Sequence, residues 1–176
     1  MRRGGLAIVL SQFRLHRRRT AVYNPCAGSP GASRSLVLDV KRINDQVRVS
    51  PQISPDDLPA LKAAGFTSII NNRPDGESPD QPSSATMQAA AQKAGLAYHY
   101  IPLGREGVSP QMVEDTKAAL EGSDGPVLAY CRSGTRSTTL WALSQAGERP
   151  AQEIVDAAQH AGYDMSHLLG HLSQRQ

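Results

Sequence analysis

The sequence predicts an α/β domain in three layers, a mostly parallel sheet with helices on both faces. Three observations carry that expectation. Short apolar runs such as "TSII" (67–70) and "PVLAY" (126–130) alternate with helix-length segments along the chain. Two of those segments open on a capping hydroxyl followed by proline, at Ser54-Pro55 and Ser109-Pro110. Glycines close the helical stretches at Gly65, Gly95 and Gly122. Strand and helix in alternation imply parallel strands joined by crossovers, and such sheets bind ligands at the carboxyl ends of their strands.

The elements follow in order. "QVRVS" (46–50) alternates as a short strand. Ser54, Pro55, Asp56 and Asp57 start a helix, with acids against the positive end of its dipole, and that helix runs through "LPALKAA". The β-branched "TSII" is a buried strand that enters the turn-rich stretch "NNRPDGESPDQPSS". A helix over "ATMQAAAQKA" precedes the strand "AYHYIPL", and Ser109-Pro110 opens a helix through "QMVEDTKAALE". "PVLAY" is the next strand and delivers Cys131 at its carboxyl end; helices are expected through "STTLWALSQA", "AQEIVDAAQHA" and, briefly, "MSHLLGHL". In this reading the loop 131–136 feeds a helix that begins near Ser137.

Charge divides the chain unevenly. Residues 1–39 hold seven arginines and one acid, a net +6, whereas residues 40–176 hold 12 basic and 15 acidic side chains, a net −3. The basic character therefore belongs to residues 1–37, which show no sustained period. That stretch reads as a disordered extension, with secretory-signal and organelle-targeting readings left open. The domain itself is expected over 38–176. Its mild acidity excludes nucleic acid as an expected partner. The longest apolar run, "LAIVL", is too short to span a bilayer. Two cysteines, Cys26 and Cys131, are too few for a disulfide framework and suit a reducing cytosol, so a cytoplasmic location is expected. No CxxC occurs and the five histidines lack ligand spacing, so neither metal nor cofactor is expected.

The chemistry gathers in "AYCRSGTRS" (129–137). A loop between strand and helix turns its backbone N–H groups and the positive helix end into one hollow. Gly134 permits the tight turn, and Arg132 and Arg136 add forked cations suited to a tetrahedral oxyanion. The same field favours thiolate over thiol at Cys131, making it a nucleophile rather than a core filler. Ser133, Thr135 and Ser137 complete the candidate anion cradle, with Ser137 expected to cap the following helix. Two reactions use such a loop. In phosphoester hydrolysis the thiolate attacks phosphorus and an acid protonates the leaving group; in sulfur transfer the thiolate carries a persulfide and needs no acid.

The stretches "VSPQISPDDLPALKAAGFTSIINNRPDGE", "QPSSATMQAAAQKAGLAYHYIPL" and "GPVLAYCRSGTRSTTLWALSQAG" resemble the phosphatase-like domain of the beta-lactamase hydrolase-like proteins. That family is similar in fold to dual-specificity phosphatases. The resemblance implies a cysteine-phosphatase-like hydrolase with Cys131 as nucleophile and Arg136 as oxyanion binder. The chain departs from the phosphatase pattern in three places. Tyr130 precedes the cysteine where those enzymes carry histidine, and four residues rather than five separate Cys131 from Arg136. The loop after "AYHYIP" offers only Glu106 as a carboxyl, so Asp75, with Glu77 beside it, is the substitute proton donor expected at the same edge. The shortened loop is equally similar to a rhodanese loop, although the Gly-His-Ile-x-Gly-Ala element of rhodaneses is missing.

The expected substrate is therefore a small anion, a phosphoester or a sulfane-sulfur donor. The second case would add a thiol acceptor such as glutathione. Arg73 either reaches the anion site or pairs with Asp75 or Glu77. Asn71 and Asn72 are expected to brace the turn and Trp141 to sit in the core. His99 reads as structural, and His160, His167 and His171 as surface residues.

Overall fold

The computed structural model describes residues 38–174. Five strands form one sheet: β1 (Lys41–Arg42), β2 (Val47–Ser50), β3 (Ser68–Asn71), β4 (Ala97–Tyr100) and β5 (Val127–Tyr130). Their order across the sheet is β1-β2-β5-β3-β4, with only β1 antiparallel. Six α-helices accompany them: α1 (Leu58–Ala63), α2 (Ser84–Lys93), α3 (Pro110–Glu121), α4 (Thr135–Ser144), α5 (Ala151–His160) and α6 (Leu169–Ser173). Two short 3-10 turns, Pro55–Asp57 and Ser166–Leu168, lead into α1 and α6.

The three-layer α/β expectation is met, and the alternation of side chains along β5 shows how. Val127 and Ala129 face one apolar cluster, which contains Leu120 of α3, Leu140 and Trp141 of α4, and Ile154 of α5. Leu128 and Tyr130 face the other, with Leu58 and Leu61 of α1 and Met87 of α2. A strand covered on both faces must be apolar at every position, and all four residues of β5 are buried. Trp141 is core, as expected, at 2% exposure.

The helix starts follow their local chemistry. Ser109 Oγ accepts the Met112 N–H at 3.3 Å ahead of α3, and Ser83 Oγ accepts the Thr86 N–H at 3.2 Å ahead of α2. At Ser54 the Asp57 carboxylate reaches back to accept the Ser54 N–H at 2.6 Å. The predicted start near Ser137 is corrected. Helix α4 begins at Thr135, with Gly134 as its N-cap at φ 92°. A left-handed glycine at 134 turns the chain into the helix three residues sooner than a cap at Ser137 would. Strand β1 was not expected; two exposed residues leave no apolar alternation to read.

Register brings the site together. Ser50, Tyr130, Asn71 and Tyr100 end β2, β5, β3 and β4, and each is directly opposite its neighbour's last residue. The four segments that follow these strands therefore leave the sheet at one level. Among the described residues no helix is long and apolar enough to cross a membrane.

Candidate active site

Cys131 leaves the central strand and is fully buried. The Gly134 N–H donates to its Sγ at 3.1 Å. Burial alone would push the thiol up. The backbone N–H groups of Ser137, Ser133, Gly134 and Arg136 outweigh it and hold the thiol below its ordinary value. The cradle around the sulfur is thus made largely of peptide groups, with the Arg136 guanidinium also interacting with it. Ser133 and Thr135 point their hydroxyls outward and lie 3.2 Å apart at the exposed rim. Ser137 does not cap α4: it lies inside the helix, 1% exposed, and its Oγ has no hydrogen-bond partner. What Ser137 brings to Cys131 is its N–H.

Arg136 is held differently. Its Nη1 and Nη2 donate to the two oxygens of Glu77 at 2.6 and 2.9 Å, and Nη1 also donates to the Leu103 carbonyl at 2.9 Å. Arg73 does not stand free to meet an anion. Its Nε donates to Glu77 Oε2 at 2.9 Å and its Nη1 to Gln52 Oε1 at 2.9 Å. Of the two roles expected for Arg73, the structure shows the pairing with Glu77. Fork-to-fork geometry fixes both the distance and the plane of a guanidinium. Glu77 responds to its partners: the Arg136 hydrogen bonds lower its pKa from 4.5 to about 2, burial opposes, and Arg73 lowers it further. A carboxyl so held stays ionised at neutral pH and donates no proton.

A cavity of about 600 Å³ opens beside this clamp, lined by Pro74, Asp75, Gly76, Glu77, Gly104, Arg105, Glu106, Arg132 and Arg136. Asp75, the expected proton donor, is at this edge, but both its oxygens accept from Ser84, one from the N–H and one from the hydroxyl, at 2.7 Å each. It caps α2. Among the described residues the Glu106 carboxyl, also in the cavity lining, has no hydrogen bond or ion pair. Arg132 is exposed over the cavity and, among the described residues, likewise has no hydrogen bond or ion pair from its side chain. Among the described residues no cluster of His, Cys, Asp or Glu could hold a metal ion.

The asparagines brace the turn as expected. Asn71 Oδ1 accepts the Arg73 N–H at 2.9 Å, and Asn72 Nδ2 donates to the Ile101 carbonyl at 2.9 Å. His99 lies on β4, away from the cavity, and burial lowers its pKa; His160, His167 and His171 are exposed.

The sequence placed Glu77 at this edge without its bond to Arg136, and it left Tyr163 unmarked. Glu77 carried a faint signal, an acid four positions after Arg73, but nothing located Arg136 on its other side. Tyr163 carried none. It lies past α5 and donates its phenol hydrogen to the Ser133 carbonyl at 3.2 Å. Residues 1–37, expected to be a disordered extension, lie outside the described residues.

Known proteins resemble this chain in sequence and in fold. The family described as beta-lactamase hydrolase-like protein, phosphatase-like domain, matches residues 39–148. The beta-lactamase hydrolase-like protein of Xylella fastidiosa is 36% identical over 135 residues, covering 76% of this chain and 31% of that protein. The chain therefore spans about a third of that relative's length. A candidate phosphatase of known structure from Neisseria meningitidis is 30% identical with a TM-score of 0.68, covering 79% of this chain and 99% of that one. The fold alone is shared with TpbA of P. aeruginosa, solved in complex with pTyr, at 16% identity and a TM-score of 0.53, with 71% and 74% coverage. With the fold and the matched span in agreement, the chain belongs to the phosphatase-like domain family of the beta-lactamase hydrolase-like proteins.

Proposed function

We propose that the domain is a cysteine-dependent phosphoester hydrolase, with the Cys131 thiolate attacking a phosphorus held by the loop 131–136. The observation that carries this reading is the convergence of four backbone N–H groups on a buried sulfur whose pKa is lowered despite its burial. Attack forms the S–P bond as the P–O bond to the leaving group breaks, and the departing alkoxide takes one proton. Water then attacks the thiophosphate, releasing inorganic phosphate and returning the thiolate. The loop N–H groups and Arg136 take up charge that develops on the phosphoryl oxygens. Of the cavity's carboxyls, Glu77 is held ionised and Asp75 is taken by Ser84, so the leaving-group proton is assigned to Glu106. TpbA's complex with pTyr makes an aryl phosphate the first substrate class to offer.

A second reading, sulfur transfer, is favoured by the four-residue spacing between Cys131 and Arg136 and by Asp75 being occupied. There the thiolate takes the outer sulfur of thiosulfate, releases sulfite and passes the persulfide sulfur to a thiol such as glutathione, with no proton donor required. One paired assay separates the two, an aryl phosphate in one arm and thiosulfate with glutathione in the other. We expect phosphate release that disappears in Cys131→Ser and no sulfur transfer. Sulfur transfer lost in Cys131→Ser, with no phosphate release from the native protein, would overturn the hydrolase.

A further inference from the structure

We propose that Tyr163 is a positioning residue for the nucleophile, holding the Ser133–Gly134 peptide so that its N–H points at Cys131. The inference rests on Cys131 being the reactive group. The Ser133 carbonyl and the Gly134 N–H are the two ends of one planar trans peptide, so they point in opposite directions. At the carbonyl end stands the Tyr163 hydroxyl, 3.2 Å from the oxygen. At the other end stands Cys131 Sγ, 3.1 Å from the nitrogen. Whatever fixes the carbonyl also aims the N–H. Hydrogen bonds in series polarise one another, so a donor on the carbonyl strengthens the N–H as a donor to sulfur.

Two further observations place the phenol deliberately. Gly134 adopts φ +92°, and a Cβ built there would lie 2.0 Å from the Tyr163 hydroxyl oxygen and 2.7 Å from Cζ. The tyrosine therefore sits directly against the α-carbon of the glycine that turns the loop. Its own position is set by the end of α5. The Gly162 N–H donates to Gln159 and the Tyr163 N–H to Ala158, both at 2.9 Å, with Gly162 at φ +91°. That paired bonding around a left-handed glycine is a Schellman closure, which fixes the exit direction of the next residue. Tyr163 lies beyond the span 39–148 that matches the family, so α5 adds this contact from outside it. Among the described residues Arg136 and Tyr163 both feel the Cys131 charge; burial and that charge raise the phenol's pKa, keeping it a donor.

Titration of the full chain by NMR, with cysteine carbon-13 labelled at Cβ, tests this. The Cys131 signal is assigned by its loss in Cys131→Ser. Tyr163→Phe keeps the ring and removes only the donor. Its Cys131 midpoint is expected to move up, with the thiolate fraction below that midpoint falling about threefold, the scale of one neutral hydrogen bond. An unchanged midpoint in a folded Tyr163→Phe protein overturns the proposal. Should that variant not fold, the native protein answers instead. The Tyr163 Cζ signal is expected to step at the Cys131 midpoint and lose that step in Cys131→Ser; no step overturns the proposal. No substrate enters either measurement, so its failure and that of the hydrolase reading are separable.

Discussion

Cys131 and Arg136 belong to one short loop, yet opposite kinds of structure hold them. The sulfur is surrounded by main-chain N–H groups, and the side chains of Ser133 and Thr135 turn away from it. The guanidinium is gripped by a side chain from another strand's loop, Glu77, with Arg73 and Gln52 behind it. A cradle of peptides depends on backbone conformation and tolerates many side chains. A clamp of charges depends on single residues and on their ionisation. The difference predicts which substitutions injure which end, and in what order.

The largest effect is expected where the cradle's conformation depends on one residue. Gly134→Ala puts a Cβ into a left-handed position already occupied by the Tyr163 phenol. It should cost about 1–3 kcal/mol of stability by denaturant melts and remove most phosphatase turnover. Turnover retained with lowered stability would show that the cradle matters less to chemistry than to folding.

The clamp should fail more gently. Glu77→Gln keeps the shape and removes the charge, so Arg136 is misaimed rather than lost. Its kcat/KM on an aryl phosphate should fall about tenfold to a hundredfold, the scale of a small misplacement. The same variant carries a pH signature. The Arg136 hydrogen bonds, against burial and with help from Arg73, depress Glu77 from 4.5 to about 2. A depressed carboxyl stabilises the fold fully above pH 4.5, and that contribution is lost as the pH falls towards about 2. Denaturant midpoints between those values should drop less steeply in Glu77→Gln than in the native protein. Parallel slopes would sink the clamp.

The smallest effect marks the boundary of the comparison. Ser109→Ala removes the hydroxyl that accepts the Met112 N–H at the start of α3, and Ser109 does not line the cavity beside the clamp. It should cost about 1 kcal/mol of stability and leave turnover unchanged. A change in turnover would mean that the α3 start reaches the site.

Much of this was legible in the sequence because local chemistry and the global fold agree. Ser54-Pro55 and Ser109-Pro110 announced two helices, and "PVLAY" announced a strand buried on both faces with Cys131 at its end. The hollow lined by backbone N–H groups was expected from strand, glycine and helix in succession. What stayed hidden depends on contacts between residues far apart in the chain. Glu77 and Arg136 are 59 positions apart, and only β3 lying beside β5 brings their loops together. Asp75 offered the right charge at the right edge, but its capping of Ser84 is a tertiary choice that composition does not reveal. Tyr163 announces itself by nothing local, since its role comes from the glycine it covers. The early start of α4 was missed because Gly134 reads equally as a flexible turn and as a left-handed cap.

The central place of β5 has a consequence for how the site comes apart. Its amides are bonded to β2 on one side and β3 on the other, so freeing them means dismantling the middle of the sheet. Strand β4 is bonded on one side only, to β3, and the chain leaving it carries the Leu103 carbonyl that steadies Arg136. Edge strands exchange their amide hydrogens through small, frequent openings, whereas central strands exchange near the cost of global unfolding. Cys131 is therefore tied to the most deeply paired part of the sheet, where exchange is expected to be slowest. Its arginine is tied in part to an edge that opens more readily.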